Sequence, residues 1–363
     1  MSAIKQLIEF GQSPWYDNLT RSLATGGLRG LIDEHGIRGV TSNPTIFEKA
    51  MASGSDYDAQ LRGVTAAGAL PVDAYWDLVT TDIAHAADIL RPSHDELGGA
   101  DGFVSVEVSP DLADDTDATI TQARELWDRL DRPNVMVKIP ATEAGIPAIA
   151  ASLAAGVNVN ITLIFGLGRY AQVMNAFFEG FEQRIANGEE VAQLASVASF
   201  FVSRVDTETD RRLPEGHPLR GKAAVANARL AYQRFLSTFS GARWDALSAK
   251  GAHVQRPLWA STSTKNPAYS PTLYVDTLIG RDTVNTLAQA SVDALTSGEG
   301  DLRPDTVLEG VDDAKATMAG LAEAGVDFDD VTATLEREGV ESFTASFQDA
   351  TETLAKKARE LSH

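Results

Sequence analysis

The run Val157-Asn158-Val159-Asn160-Ile161-Thr162-Leu163-Ile164-Phe165 carries two messages at once. Asn158, Asn160 and Thr162 fall on one face of an extended chain, and Val159, Ile161 and Leu163 on the other. In a closed barrel the apolar face of such a strand meets the surrounding helices while the polar face looks inward. The run Phe103-Val-Ser-Val-Glu-Val repeats the pattern, with Ser105 and Glu107 on one face and Val104, Val106 and Val108 on the other. Between these two lies Asn134-Val135-Met136-Val137-Lys138-Ile139-Pro140-Ala141-Thr142. Its Val135, Val137 and Ile139 read as a buried strand that Pro140 ends, with Lys138 on the same face as Met136.

Working outward, further strands are expected near 13–18, 37–42, 196–202, 257–262 and 282–287, which with 103–108, 134–139 and 157–165 makes eight. Helical patterns separate most of them. Thr116 to Leu130 places Ile120, Ala123, Leu126, Trp127 and Leu130 at helical spacing, and Arg169 to Asn187 carries a stripe through Tyr170, Val173, Phe177 and Phe181. Gly221 to Phe239 is Ala-rich, and the connection from 44 to 102 is long enough to hold several helices. Repeated βα units with eight strands define an α/β fold, a (β/α)8 TIM barrel with additional helices. Residues 1–363 then form one domain, with 290–363 supplying a barrel-closing helix and a helical extension whose stripes (Leu321, Val331, Leu335, Phe343, Phe347, Leu354) belong to a core.

The totals narrow the function. With 363 residues, 44% hydrophobic and 23% charged, the chain has a globular composition. It has no run of 18 apolar residues, and Met1-Ser2-Ala3-Ile4-Lys5-Gln6 lacks the basic start and apolar core of a signal peptide, so a cytoplasmic protein is expected. Zero cysteines exclude disulfides, zinc–thiolate sites and cysteine nucleophiles. Six histidines, His35, His85, His94, His217, His253 and His363, show no metal-type spacing. A net charge of −20 argues against binding nucleic acid or an anionic membrane, and makes any anionic substrate depend on a local basic pocket.

Lys138 is the chemical centre of this reading. An ordinary lysine is under about 0.1% free amine at pH 7, and desolvation is a means of raising that fraction to make a Schiff-base former. The plain alternative is a strand-end lysine whose ammonium reaches solvent. Other polar residues also gather at strand ends, each with a plain alternative. Asn43 before Pro44 could initiate a turn, Glu107 could pair with a structural base, and Asn160 and Thr162 could satisfy buried backbone groups. Arg204 could pair with Asp206 or Asp210, and Lys265 could decorate a loop. Convergence on one rim, the carboxyl ends of the strands, is where barrel enzymes build their sites.

Five blocks, in order, resemble the transaldolases: Gly39-Val-Thr-Ser-Asn-Pro-Thr-Ile-Phe, Val135-Met-Val-Lys-Ile-Pro-Ala-Thr-Glu, Val157-Asn-Val-Asn-Ile-Thr-Leu-Ile-Phe, Ser196-Val-Ala-Ser-Phe-Phe-Val-Ser-Arg-Val-Asp and Arg256-Pro-Leu-Trp-Ala-Ser-Thr-Ser-Thr-Lys-Asn-Pro. The match runs from about Trp15 to Leu287 and is similar to the longer bacterial form. The resemblance implies a class I aldolase barrel with no metal or organic cofactor. Its reaction moves a dihydroxyacetone unit from sedoheptulose 7-phosphate to glyceraldehyde 3-phosphate, giving erythrose 4-phosphate and fructose 6-phosphate in the non-oxidative pentose phosphate pathway. It implies Lys138 as the Schiff-base residue, Glu107 as acid/base through a water that Thr162 holds, and Asp17 as the group exchanging the hydroxyl proton beside the broken bond. Asn43 and Asn160 would hold dihydroxyacetone hydroxyls, Ser199 would lie beside the site, and Arg204, Ser263 and Lys265 would bind phosphate.

Around 288–300 the chain lacks the Pro-containing segment associated with this branch, which bears on the loop after the last strand. Two other readings stand beside it. One is a fructose 6-phosphate aldolase-like lyase, whose members usually carry Gln at the position of Glu107 and Tyr at that of Phe201. The other is a non-catalytic sugar-phosphate binder, which would have lost one of Lys138, Glu107 and Asp17.

Overall fold

The computed structural model describes residues 2–361; Met1 and His363, which enter the sequence reading, lie outside them. Eight parallel strands close into a barrel in sequence order: β1 (Gln12–Tyr16), β2 (Gly39–Val40), β3 (Phe103–Glu107), β4 (Val135–Pro140), β5 (Val159–Ile164), β6 (Ser196–Phe201), β7 (Arg256–Ala260) and β8 (Thr283–Leu287). Closure comes from β8 pairing with β1 over five residues, Gln12 opposite Thr283 through Tyr16 opposite Leu287. A closed sheet leaves no edge strand, and βα connections cover its outer face.

All eight expected strands are present, each within two residues of the expected bounds. The most shortened is β2, expected at 37–42 but paired only at Gly39 and Val40. Thr41 still donates its N–H to the Tyr16 carbonyl, but Asn43 then caps the helix Pro44–Ala52, its side chain accepting from the Ile46 N–H at 3.0 Å. The chain leaves the sheet early because Asn before Pro is a helix start. In β5 the ladder to β6 slips between Ile161 and Ile164, where Leu163 has φ of 60°. This bulge bends the carboxyl end of the strand.

Helices occupy the expected places. Thr116–Leu130 has the expected bounds, capped by Asp115, and Leu167–Ala186 and Ala223–Thr238 lie within two residues of theirs. The segment between β2 and β3 holds three helices, Pro44–Ala52, Asp58–Ala66 and Pro71–Glu96. After β8, the helix Gln289–Thr296 follows at once through Ala288, so the connection is short despite lacking proline. Val311–Glu323 and Phe328–Leu361 complete the chain.

The final helix, 34 residues and so about 50 Å long, runs over the carboxyl ends of the strands. Ser346 Oγ lies 2.8 Å from Thr45 Oγ1, Glu336 pairs with Arg169, and Asp330 with Arg212. Gly339 packs on the β5 bulge, where a Cβ would stand 2.9 Å from Leu163 Cδ2.

At the opposite end, Trp15 is fully buried and donates from Nε1 to Asp101 Oδ1 at 2.8 Å, and Asp101 also accepts from Ser13 and Arg256. The Trp15 ring lies where a side chain at position 39 would go: a Cβ there would be 2.4 Å from ring carbons. Gly39→Ala should therefore destabilise the protein by roughly 3 kcal/mol, read as a lower urea midpoint at unchanged slope. An unchanged midpoint would show that Trp15 is not held as described.

Candidate active site

β3, β4 and β5 are in register so that Glu107, Lys138 and Asn160 lie side by side across three strands. Their side chains are buried, with Lys138 5% and Glu107 7% exposed. Lys138 Nζ stands 3.3 Å from Glu107 Oε2 and donates to the Ser42 carbonyl at 3.1 Å. Burial pushes the Glu107 carboxyl above its ordinary range, while the charges of Lys138 and Arg204 pull it back. The plain alternative for Glu107 is thus half right and that for Lys138 is not met. Glu107 does pair with a base, but that base is Lys138, and its ammonium does not reach bulk solvent.

A cavity of about 310 Å³ opens at the carboxyl ends of the strands. Of the expected site residues, Asp17, Asn43, Lys138, Thr162, Ser199, Arg204, Ser263 and Lys265 line it. Asp17 follows β1, its N–H bonded to the Leu287 carbonyl, and its carboxylate accepts from Thr41 Oγ1 at 2.8 Å. Thr162 Oγ1 is buried on the wall without a hydrogen-bond partner. Buried hydroxyls are normally satisfied, so this one is available to a bound group.

Asn160 does not reach the cavity wall. Its Nδ2 donates to Ser105 Oγ at 2.9 Å and its Oδ1 accepts from Ser199 Oγ at 2.7 Å. It bridges β3 to β6 and orients Ser199, which does line the cavity. Glu107 is likewise absent from the wall itself and is joined to it by its pair with Lys138.

The cationic end is built by the turns after β6 and β7. Arg204 opens the helix Ser203–Arg212, its guanidinium 5.3 Å from the Phe201 ring centroid. It pairs with neither Asp206 nor Asp210. Asp206 accepts from the Ala224 N–H and Tyr274 Oη, and Asp210 from the Gly221 N–H and Tyr269 Oη. Lys265 Nζ lies 3.1 Å from Ser263 Oγ. Partial desolvation, then the positive charges of Arg204 and Lys49, push the Lys265 ammonium below its ordinary value.

Four contributors escape the sequence reading. Thr41 fixes the Asp17 carboxylate, Lys49 lines the cavity from the helix Pro44–Ala52, and Ser342 and Phe343 reach it from the final helix. Helical spacing from the Asn43 cap would have exposed Lys49, since Thr45, Ile46 and Lys49 share a face. Ser342 and Phe343 carry no local signal. Among the described residues no group of three or more His, Cys, Asp or Glu could hold a metal ion, and no helix is long and apolar enough to cross a membrane.

An eight-stranded βα barrel with a buried lysine–carboxylate pair below a basic cavity at its strand ends is the framework of a barrel enzyme acting on small anionic substrates. The profile of the transaldolase/fructose-6-phosphate aldolase family matches residues 14–354, and the chain belongs to that family. Among its relatives, the transaldolase of Acidothermus cellulolyticus is 50% identical over 99% of this chain and 96% of its own. The transaldolase of Saccharopolyspora erythraea is 49% identical over 97% of both chains, and that of Thermobifida fusca 48% over 98% of both.

Electrostatics in the supporting shell give a testable pH dependence. Asp206 is 1% exposed, and burial pushes its pKa up to about 6 against the two hydrogen bonds it accepts. A carboxyl whose folded pKa exceeds its unfolded value favours folding at pH below the unfolded value, and that contribution is lost as pH rises through the folded one. Asp206→Asn should therefore gain on the parent between about pH 4 and pH 7, by up to ~3 kcal/mol. Urea unfolding at pH 4, 5.5 and 7.5 measures this; a constant difference across the three would refute it.

Proposed function

We propose that the protein is a transaldolase that carries a dihydroxyacetone unit on Lys138. The observation that supports this most directly is the Lys138 Nζ–Glu107 Oε2 pair at 3.3 Å, opening onto a cavity with cations along its rim. The full-length likeness to transaldolases agrees with it.

The geometry suggests the sequence of steps. Lys138 gives one ammonium proton to Glu107, and the freed amine attacks the C2 carbonyl of a ketose phosphate; Glu107 passes that proton to the carbonyl oxygen, making it a hydroxyl, and takes a second proton from the newly bonded nitrogen. Glu107, with a raised affinity for protons, returns one to the departing hydroxyl through a water that Thr162 Oγ1 holds, leaving the Schiff base. The iminium accepts the electron pair of the breaking C3–C4 bond while Asp17 takes the C4 hydroxyl proton. Thr41 holds the Asp17 carboxylate at its place. The aldose phosphate departs, a second one enters, and the steps reverse.

Asn43 holds hydroxyls of the bound unit, and Asn160 acts on it through Ser199. Arg204, Ser263 and Lys265 bind the phosphate, Arg204 by its planar fork and Lys265 as a point charge. The reaction needs no metal or organic cofactor in this reading. The donor and acceptor are sedoheptulose 7-phosphate and glyceraldehyde 3-phosphate, which places the enzyme in the non-oxidative pentose phosphate pathway of the cytoplasm. One domain is the reading that the final helix supports, since its Ser342 and Phe343 line the cavity.

Borohydride reduction in the presence of fructose 6-phosphate should trap a dihydroxyacetone-sized adduct on Lys138, located by peptide mass mapping. An adduct on another residue, or none, would sink the proposal. Lys138→Arg should lower turnover more than ~10³-fold with the fold retained, since a guanidinium is not a usable nucleophile. Cleavage of fructose 6-phosphate that proceeds equally well with and without erythrose 4-phosphate would assign a lyase instead.

A further inference from the structure

We infer that Lys49 is a third phosphate-recognition cation of this site, approaching the substrate's phosphate from the wall opposite Arg204 and Lys265. The inference rests on the functional reading above for the identity of the substrate, and on the structure for the residue.

In a chain of net charge −20, the lining residues include four bases, Lys49, Lys138, Arg204 and Lys265, and one acid, Asp17. Lys138 is taken up by Glu107 and Ser42. Among the described residues the other three have no carboxylate within 4.0 Å, whereas elsewhere arginines of this protein are repeatedly paired. Leaving several cations unpaired around one concave space is unfavourable unless an anion enters it.

Lys49 is held where it can serve. Its helix, Pro44–Ala52, is capped by Asn43 and tied to the final helix by Thr45 and Ser346. Thr45, Ile46 and Lys49 all line the cavity, as their helical spacing requires. The Lys49 backbone is therefore fixed while its four-carbon stem is free and exposed at the mouth. Arg204 and Lys265 enter after β6 and β7, but Lys49 enters after β2, on the far side of β8 and β1. A phosphate carrying up to two charges thus meets cations from two sides.

This placement separates binding from chemistry. Lys49 lies at the exposed mouth, whereas the reacting carbonyl belongs at the buried Lys138. It should strengthen capture of phosphorylated donor and acceptor and leave the bond-breaking step untouched.

The test compares the parent with Lys49→Met and Lys49→Arg. Lys49→Met should raise KM for fructose 6-phosphate and erythrose 4-phosphate about tenfold, hold kcat within about twofold, and make KM less sensitive to added salt. Turnover of unphosphorylated fructose with glyceraldehyde should be unchanged, and Lys49→Arg should restore most of the lost affinity. Calorimetric titration with inorganic phosphate should show the same weakening in Lys49→Met without reference to activity. Unchanged phosphate binding and KM in Lys49→Met would overturn the inference. Equal losses on phosphorylated and unphosphorylated substrates would also overturn it, by making the role structural. A parent that binds phosphate through Lys49 but forms no Lys138 adduct would instead overturn the functional reading and leave the anion site standing.

Discussion

Two opposite charges buried side by side on adjacent strands organise this molecule. Removing Lys138 and Glu107 from water is expensive, and their mutual attraction offsets that cost only when geometry is fixed. The in-register pairing of β3 with β4 fixes it. Around the pair, neighbouring polar groups are held in place: the Ser42 carbonyl accepts from the ammonium, and Ser105, Asn160 and Ser199 form a hydrogen-bonded chain across β3, β5 and β6. A hydrophobic pair would pack here without such supports. A buried carboxyl pushed above its ordinary range by burial and paired with a lysine beside a cavity is the kind of arrangement found at sites that do chemistry.

The barrel is legible in the sequence because its strands alternate. Asn158, Asn160 and Thr162 against Val159, Ile161 and Leu163 announce an inner and an outer face, and the β3 pattern of Ser105 and Glu107 does the same. Where the reading overreaches, local chemistry is the cause: at 41–42 the extended run looks like strand, but the Asn43 cap has already turned the chain into a helix. The site is legible where motif residues sit on strand ends. It is less so for Asn160, whose face is evident from alternation but whose amide is consumed by Ser105 and Ser199, a matter of three-dimensional neighbours. Ser342 and Phe343 are invisible from sequence, since an amphipathic stripe shows that a helix buries one face and not what lies beneath it.

The surface charge and the cavity charge have opposite signs, and distance reconciles them. At physiological salt, fields from exposed carboxylates fade within about 8 Å. A sugar phosphate reaching the mouth therefore responds to Arg204, Lys265 and Lys49 far more than to the distant excess of acids. Burial strengthens this contrast around Arg204, whose guanidinium is partly stripped of water against the Phe201 ring.

The final helix has a consequence for how the molecule comes to exist. The barrel cannot close until Thr283–Leu287 meets Gln12–Tyr16, the two most distant strands in the chain. The mouth cannot be finished until Ser342, Phe343 and Ser346 arrive more than 50 residues later. Each event joins segments some 270 to 300 residues apart, so both pay a large loop-closure entropy and come late in folding. During synthesis Lys138 is made about 200 residues before Ser342 and Phe343, which line the cavity beside it. A nascent chain therefore carries Lys138 long before the chamber around it is closed.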